Sequence, residues 1–146
     1  MQRDRVLRLQ HALLRVHDAI NRATGGRANH VPGTAIRFLF LTTTGRRSGE
    51  PRRVALLYAP DPDGYVVIAT NFGNAWNPAW WLNLEAHPAA TVEVRKKIEE
   101  PVVAERITDP DEYQAKLALL AKASPLFRRY RARVERDVPI VRLRRG

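Results

Sequence analysis

Two apolar runs, Arg52–Ala59 and Tyr65–Thr70, are separated by only five residues, Pro60-Asp61-Pro62-Asp63-Gly64. A parallel strand needs a crossover of about a dozen residues or more, so these two runs can pair only antiparallel. Pro, Asp and Gly are the residues that reverse a chain at such a point. A similar arrangement recurs further on, where Ala90–Arg95 alternates as a strand and continues into Ile98–Ile107 after Lys96-Lys97. A compact apolar strand, Ala35–Thr43, precedes the hairpin and is followed by the turn-rich loop Gly45–Pro51. Val138–Leu143 reads as a last strand, with Pro139 near its start, which suits a sheet edge or the beginning of a strand.

Helical signals fall between these strands. Val6, Leu9, Leu13, Val16 and Ile20 recur at three- and four-residue steps within residues 4–21, and Gly25-Gly26 ends the pattern. Asn77-Pro78 opens a helix through Ala86, where Asn can cap and Pro fits the first turn. Asp109-Pro110 opens another through Ala123, and Pro125 begins one reaching Arg136. The expected fold is α+β. About six short strands curl into a mainly antiparallel split β-barrel, with one helix before it, a short helix after strand three and two helices before the last strand. The chain is expected to form a single domain over residues 1–146, with an amphipathic helix and connector in 1–30 and the barrel in 34–146. No Gly-x-Gly-x-x-Gly follows a strand, which argues against a Rossmann unit.

The 146 residues contain no cysteine, which excludes disulfides, thiolate metal sites and a cysteine nucleophile. His11, His17, His30 and His87 are too dispersed for a compact metal motif, and no metal is expected. No apolar run approaches the roughly 18 residues of a membrane span. Arg3, Arg5, Arg8 and Arg15 interrupt any signal-peptide core, so the expected compartment is the cytoplasm. A basic amphipathic helix at 4–21 also suits the inner face of an anionic membrane, although packing on its own domain is the commoner use.

The net charge of +10 is unevenly spread. Residues 1–53 balance at +8, residues 54–127 at −4 and residues 128–146 at +6, and the excess is almost wholly Arg. Arginine forks onto phosphates and carboxylates, which points to an anionic partner. One such concentration is Thr42-Thr43-Thr44-Gly45-Arg46-Arg47-Ser48-Gly49, followed by Arg52-Arg53. Gly lets backbone N–H groups turn toward an anion, and Arg adds side-chain donors. The plain alternative is a solvated hairpin loop.

All three tryptophans fall within residues 76–81, among Asn71, Asn74, Asn77 and Asn83. Flat indoles and free amides suit a planar heteroaromatic ligand, although one of the tryptophans is expected in the core. A third cluster, Phe127–Arg136, interleaves aromatics with Arg129 and Arg133. Such a helix can bind RNA but is more often a solvated face, and Tyr130 reads as core or as substrate-facing. No Ser-His-Asp set or carboxylate pair presents itself, so an enzyme of this sequence would borrow its reactivity from a cofactor.

Together these blocks resemble the deazaflavin-dependent nitroreductases of actinobacteria, a family of split β-barrels. Thr42–Gly49 matches Thr-Thr-x-Gly-Arg-[Lys/Arg]-[Ser/Thr]-Gly. Asn77, Pro78, Trp80, Asn83, Leu84 and Pro88 match the second block, and Phe127, Tyr130, Arg136, Val138 and Pro139 match the third. The resemblance implies an oxidoreductase that binds coenzyme F-420, an 8-hydroxy-5-deazaflavin carrying a phosphodiester and several carboxylates. It would pass a hydride between the coenzyme's C5 and a small electron-poor substrate, an enone, quinone or nitroaromatic.

By the same resemblance Arg46, Arg47, Ser48, Arg52, Arg53 and Val54 would hold the anionic part of the coenzyme. Thr70, Asn71, Ala79, Trp80, Trp81, Asn83 and Phe127 would meet its ring. Tyr130 and Ser124 are candidates for the substrate side or the proton donor, and water could also supply the proton. Relatives often carry Gly-Gly where this chain has Phe72-Gly73, and some carry tyrosine at Ser124. Two other readings stay open at this stage: an FMN-binding oxidoreductase or flavin carrier on the same barrel, and a non-enzymatic basic protein that binds nucleic acid. The Arg surplus favours the longer anionic tail over a single FMN phosphate, and the Trp-Asn segment disfavours the nucleic-acid reading. Sequence alone leaves the oligomeric state open.

Overall fold

The structure is a computed structural model, and it describes residues 37–94 and 98–146. The expected helix at 4–21, the start of the first strand at Ala35-Ile36 and the Arg95–Lys97 connection lie outside these residues. In chain order the elements are β1 (Phe38–Thr44), β2 (Pro51–Leu57), β3 (Ala59–Asp61), β4 (Gly64–Ile68), a single 3₁₀ turn (Asn71–Gly73) and α1 (Ala79–Ala86). They continue with β5 (Ala89–Glu93), β6 (Glu99–Arg106), α2 (Pro110–Ala123), α3 (Leu126–Ala132) and β7 (Ile140–Arg145).

Seven strands form one curled antiparallel sheet in the order β2-β1-β5-β6-β7-β4-β3. The fold is the expected antiparallel half-barrel with helices, built from seven strands rather than about six. The extra strand arises because the apolar run at 52–59 divides at Tyr58. β2 pairs with β1 up to Leu57, Tyr58 N–H donates to the Arg37 carbonyl, and Ala59 already pairs with β4. The same chain therefore supplies both edges of the sheet. β7 is not an edge strand: it lies between β6 and β4. Pro139 precedes it, so its missing N–H costs the ladder nothing, and its carbonyl accepts from Ala69 N–H at 2.9 Å.

Strand alternation divides the core in two. Leu39, Leu41, Tyr65, Val67, Val141 and Leu143 face the barrel interior with Trp80, Trp81 and Leu84 of α1. The intervening Val66, Ile68 and Ile140 face outward against Leu117 and Leu120 of α2 and Phe127 of α3. β4 is buried along its whole length because it is covered on both sides. Each large aliphatic side chain so buried contributes about 1.5–3 kcal/mol.

The outer face of the sheet also carries an ionic cluster. The Asp61 side chain is only 1% exposed; it meets Lys116 Nζ of α2 at 2.5 Å and Arg142 Nε of β7 at 3.1 Å. Arg142 also pairs with Glu112 and Glu105. Burial pushes the Asp61 carboxyl up, but the Lys116 hydrogen bond, the Asp63 N–H and the Arg142 and Lys116 charges outweigh it. Its pKa therefore lies below the ordinary carboxylate value. The cluster ties α2 to β3 and β7, both of which it touches.

α2 starts as its sequence dictates, with Asp109 accepting from Glu112 N–H and Pro110 in the first turn. α1 does not. Its N-cap is Pro78, and Asn77 turns away to accept from Arg136 Nη1 at 2.7 Å. α3 stops at Ala132, short of the expected Arg136, which frees Arg136 to reach back across the sheet end.

Candidate active site

The loop after β1 is fixed by its own backbone and by one buried amide. Gly45 N–H donates to the Glu50 carbonyl and Gly49 N–H to the Gly45 carbonyl, both at 2.8 Å. A Cβ on Gly45 would stand 2.6 Å from Ser48 Oγ and 3.2 Å from the Glu50 carbonyl oxygen, so a side chain there would displace the turn. Asn83 of α1, 3% exposed, accepts through Oδ1 from both Arg46 N–H (3.1 Å) and Arg46 Nη1 (3.2 Å). Its Nδ2 donates to Thr43 Oγ1 at 3.1 Å. This explains why the Thr-Thr-x-Gly-Arg and Asn-Pro-x-Trp-x-x-Asn blocks occur together: the second supplies the bracket for the first.

At the other end a second loop, residues 69–77, is held by Arg136. Its Nη2 donates to the Ala69 and Thr70 carbonyls (3.0 and 3.1 Å), its Nε to the Asn74 carbonyl (3.3 Å) and its Nη1 to Asn77 Oδ1. Burial pulls the Arg136 pKa down, yet a guanidinium keeps its charge in proteins. Within the loop Asn71 (φ 48°) and Phe72 (φ 57°) are both left-handed, and Asn71 Nδ2 donates to the Trp76 carbonyl at 3.0 Å. A bulky residue in that region costs about 1–3 kcal/mol and persists only where its surroundings hold it. Gly73 follows at φ 80°, and a Cβ there would lie 3.2 Å from Arg133 Cδ. The missing side chain thus lets α3 close onto the loop.

Between the two loops lies a cavity of about 880 Å³. Arg46, Arg47, Ser48 and Arg52 line one end, while Thr70, Asn71, Ala79, Trp80, Phe127 and Tyr130 line the other. Val54, Arg53 and Asn83 lie in the wall between them. Two sequence-predicted residues are placed elsewhere. Trp81 turns into the barrel core, with the Arg106 guanidinium 5.8 Å from its ring centre. Ser124 is 2% exposed at the end of α2, where its backbone caps the helix, and it does not line the cavity. Arg53 reaches the wall already paired: its Nη2 is 2.6 Å from Glu93 Oε2, and its guanidinium lies 4.3 Å from the Phe40 ring centre. Arg46, Arg47 and Arg52 meet no carboxylate among the described residues.

Sequence reasoning missed Phe38, Phe40, Leu56 and Leu57, which supply apolar wall. The signal was there in part, since strict alternation places Phe38 and Phe40 on the face opposite Leu39 and Leu41. It also missed the Arg136 clamp, which in sequence looks like one more arginine of a charged stripe.

The donor set suits a long anionic coenzyme with a flat ring. Three unneutralised arginines and turned backbone stand at one end of the cavity, and indole, phenyl and amide groups at the other. The comparisons agree with that chemistry. The profile of the F420H(2)-dependent quinone reductase family matches residues 13–144. An F420H(2)-dependent quinone reductase of Mycobacterium tuberculosis strain H37Rv is 38% identical over 136 residues, spanning 91% of this chain and 90% of the relative. Among solved structures, an F420-H2-dependent reductase, FDR-A, superposes with a TM-score of 0.64 at 27% identity, covering 71% of this chain and 90% of that one. A domain-swapped dimer with a TM-score of 0.67 at 24% identity covers 86% and 94% and shares the fold. With an arginine-rimmed, aromatic-ended cavity on this barrel and a family match across nearly its whole length, the chain belongs to the F420H(2)-dependent quinone reductases and is an oxidoreductase that uses coenzyme F-420.

Proposed function

We propose that the enzyme reduces a small electron-poor acceptor of the quinone class. The observation that carries this reading is the polarity of the cavity between the two loops, cationic at its loop end and apolar and aromatic at its α3 end. Arg46, Arg47 and Arg52, with Ser48, would hold the phosphodiester and carboxylates of the coenzyme. Thr70, Asn71, Ala79, Trp80 and Phe127 would border its ring, and Asn83 acts by fixing Arg46. When bound, the reduced deazaflavin supplies two electrons as a hydride from C5. The chain's part is to exclude water and hold acceptor and ring in register, where orientation removes much of the barrier.

Reduction of a quinone to its hydroquinone consumes one hydride and one proton. Of the two candidate donors, Tyr130 stands in the cavity wall and Ser124 does not, so Tyr130 is assigned the proton. The test is a fluorescence titration with coenzyme F-420 and, in parallel, FMN, followed by turnover of menadione with the reduced deazaflavin. Preference for the deazaflavin together with menadione turnover supports the assignment. Tight deazaflavin binding without turnover of menadione would remove the quinone as substrate class.

A further inference from the structure

Phe72 is the residue whose backbone is least explained by the fold. Its φ of 57° is a conformation that favours glycine, and it follows another left-handed residue, Asn71. The usual reward for such strain is burial of the side chain, yet Phe72 remains 45% exposed. The ring stands in the cavity wall with its centre 6.1 Å from that of Tyr130, inclined at 66°. Edge-to-face packing of this kind fixes one ring against the other while much of the Phe72 side chain stays exposed. The loop is not loosely placed either. Arg136 holds the carbonyls of Ala69, Thr70 and Asn74, and Gly73 N–H and Asn74 N–H close back onto the Thr70 and Asn71 carbonyls at 3.0 Å each.

We propose that Phe72 is a specificity-determining residue whose ring packs against the flat face of the acceptor, beside the Tyr130 hydroxyl. This rests on the quinone reading above and adds the surface that recognises the acceptor. Strain at a rigid, ligand-lining loop is where such a role is expected, because the surroundings and not the residue hold the conformation. An exposed phenyl next to a proton donor suits a planar, electron-poor ring, whose face it can stack against.

The test compares wild type with Phe72→Gly and Phe72→Trp in the full chain, measuring KM and kcat for menadione, Kd for coenzyme F-420, and Tm. Loss of the ring contact in Phe72→Gly is expected to raise KM for menadione by about five-fold while Kd for the coenzyme stays unchanged. Phe72→Trp restores the wild-type KM. The Tm of Phe72→Gly is expected to hold, since glycine relieves the left-handed backbone as the ring contact is lost. An unchanged KM in Phe72→Gly, or a coenzyme Kd weakened as much as KM, would overturn the assignment while leaving the quinone reading intact. Wild-type enzyme that binds the coenzyme but turns over no menadione would overturn both.

Discussion

On the outer face of the sheet, Arg142 faces the carboxylates of Asp61, Glu105 and Glu112, and Arg144 pairs with Glu105. At the mouth of the cavity, Arg46 and Arg52 face, among the described residues, the neutral oxygens of Asn83 and Ser48. The two regions draw on the same side chain for opposite ends. Where carboxylates surround it, arginine locks helix to sheet; where they are absent, its charge stays available for a ligand. A surplus of positive charge therefore says little about binding until each cation has been matched to its neighbours. Arg53 makes the point within the cavity itself, since Glu93 already occupies it.

The contrast predicts which substitutions affect stability and which affect the coenzyme. Asp61→Asn leaves Lys116 and Arg142 beside a neutral, nearly buried group and is expected to cost about 3 kcal/mol of unfolding free energy, with coenzyme Kd unchanged. Denaturant titration alongside the fluorescence titration checks both halves, and a weakened Kd would erase the distinction between the regions. The same carboxyl gives a pH signature. Its folded pKa is lowered, so its contribution is complete above the unfolded value and is lost as pH falls below about 4. The acid limb of Tm against pH is expected to flatten in Asp61→Asn.

Arg46→Ala combined with Arg47→Ala should do the converse, weakening coenzyme binding by about 2 kcal/mol or more at little cost in stability. Rising ionic strength should weaken the wild-type complex in the same direction, because these cations are exposed. Affinity that survives both the double substitution and added salt would move the anion site elsewhere.

Arg136→Lys tests a third case, because Arg136 belongs to neither class: it is half-buried, and its hydrogen bonds to the described residues all go to neutral oxygens. A single ammonium cannot span those acceptors, and a loss of about 1–3 kcal/mol is expected from the oxygens left unpaired. Hydrogen exchange should show the loosening confined to residues 69–77. Tyr130→Phe is expected to have the smallest effect on the structure, with Tm and coenzyme Kd retained and kcat for menadione down by about ten-fold or more. A lost Kd with normal kcat would place the hydroxyl on the coenzyme.

Local signals that needed no distant partner were readable in the sequence. The antiparallel β3–β4 hairpin followed from a turn too short for anything else, although the rest of the 52–59 run pairs with β1, and α2 followed from Asp109-Pro110. Arg46, Arg47, Ser48 and Arg52 could be picked out because glycines and arginines cluster along the chain there. Other assignments depended on partners far away in sequence. Asn77 looked like a helix cap and is instead an acceptor for Arg136, 59 residues on. Trp80 and Trp81 look alike in sequence and both pack in the barrel core, but neighbouring helix positions point about 100° apart, so Trp80 also lines the cavity and Trp81 does not. The seventh strand appeared only because a curled sheet lets one continuous run pair with β1 at one end and β4 at the other.

Chain connectivity and composition were enough to fix the antiparallel sense of the hairpin around residues 60–64, the lack of cysteine and the concentration of cations beside a glycine turn. Only the folded arrangement decided which of the described arginines meet no carboxylate, which tryptophans line the cavity, and that Phe72 stands exposed in a left-handed backbone. Those outcomes depend on groups brought together across tens of residues, and no local preference can encode a neighbour that only folding supplies.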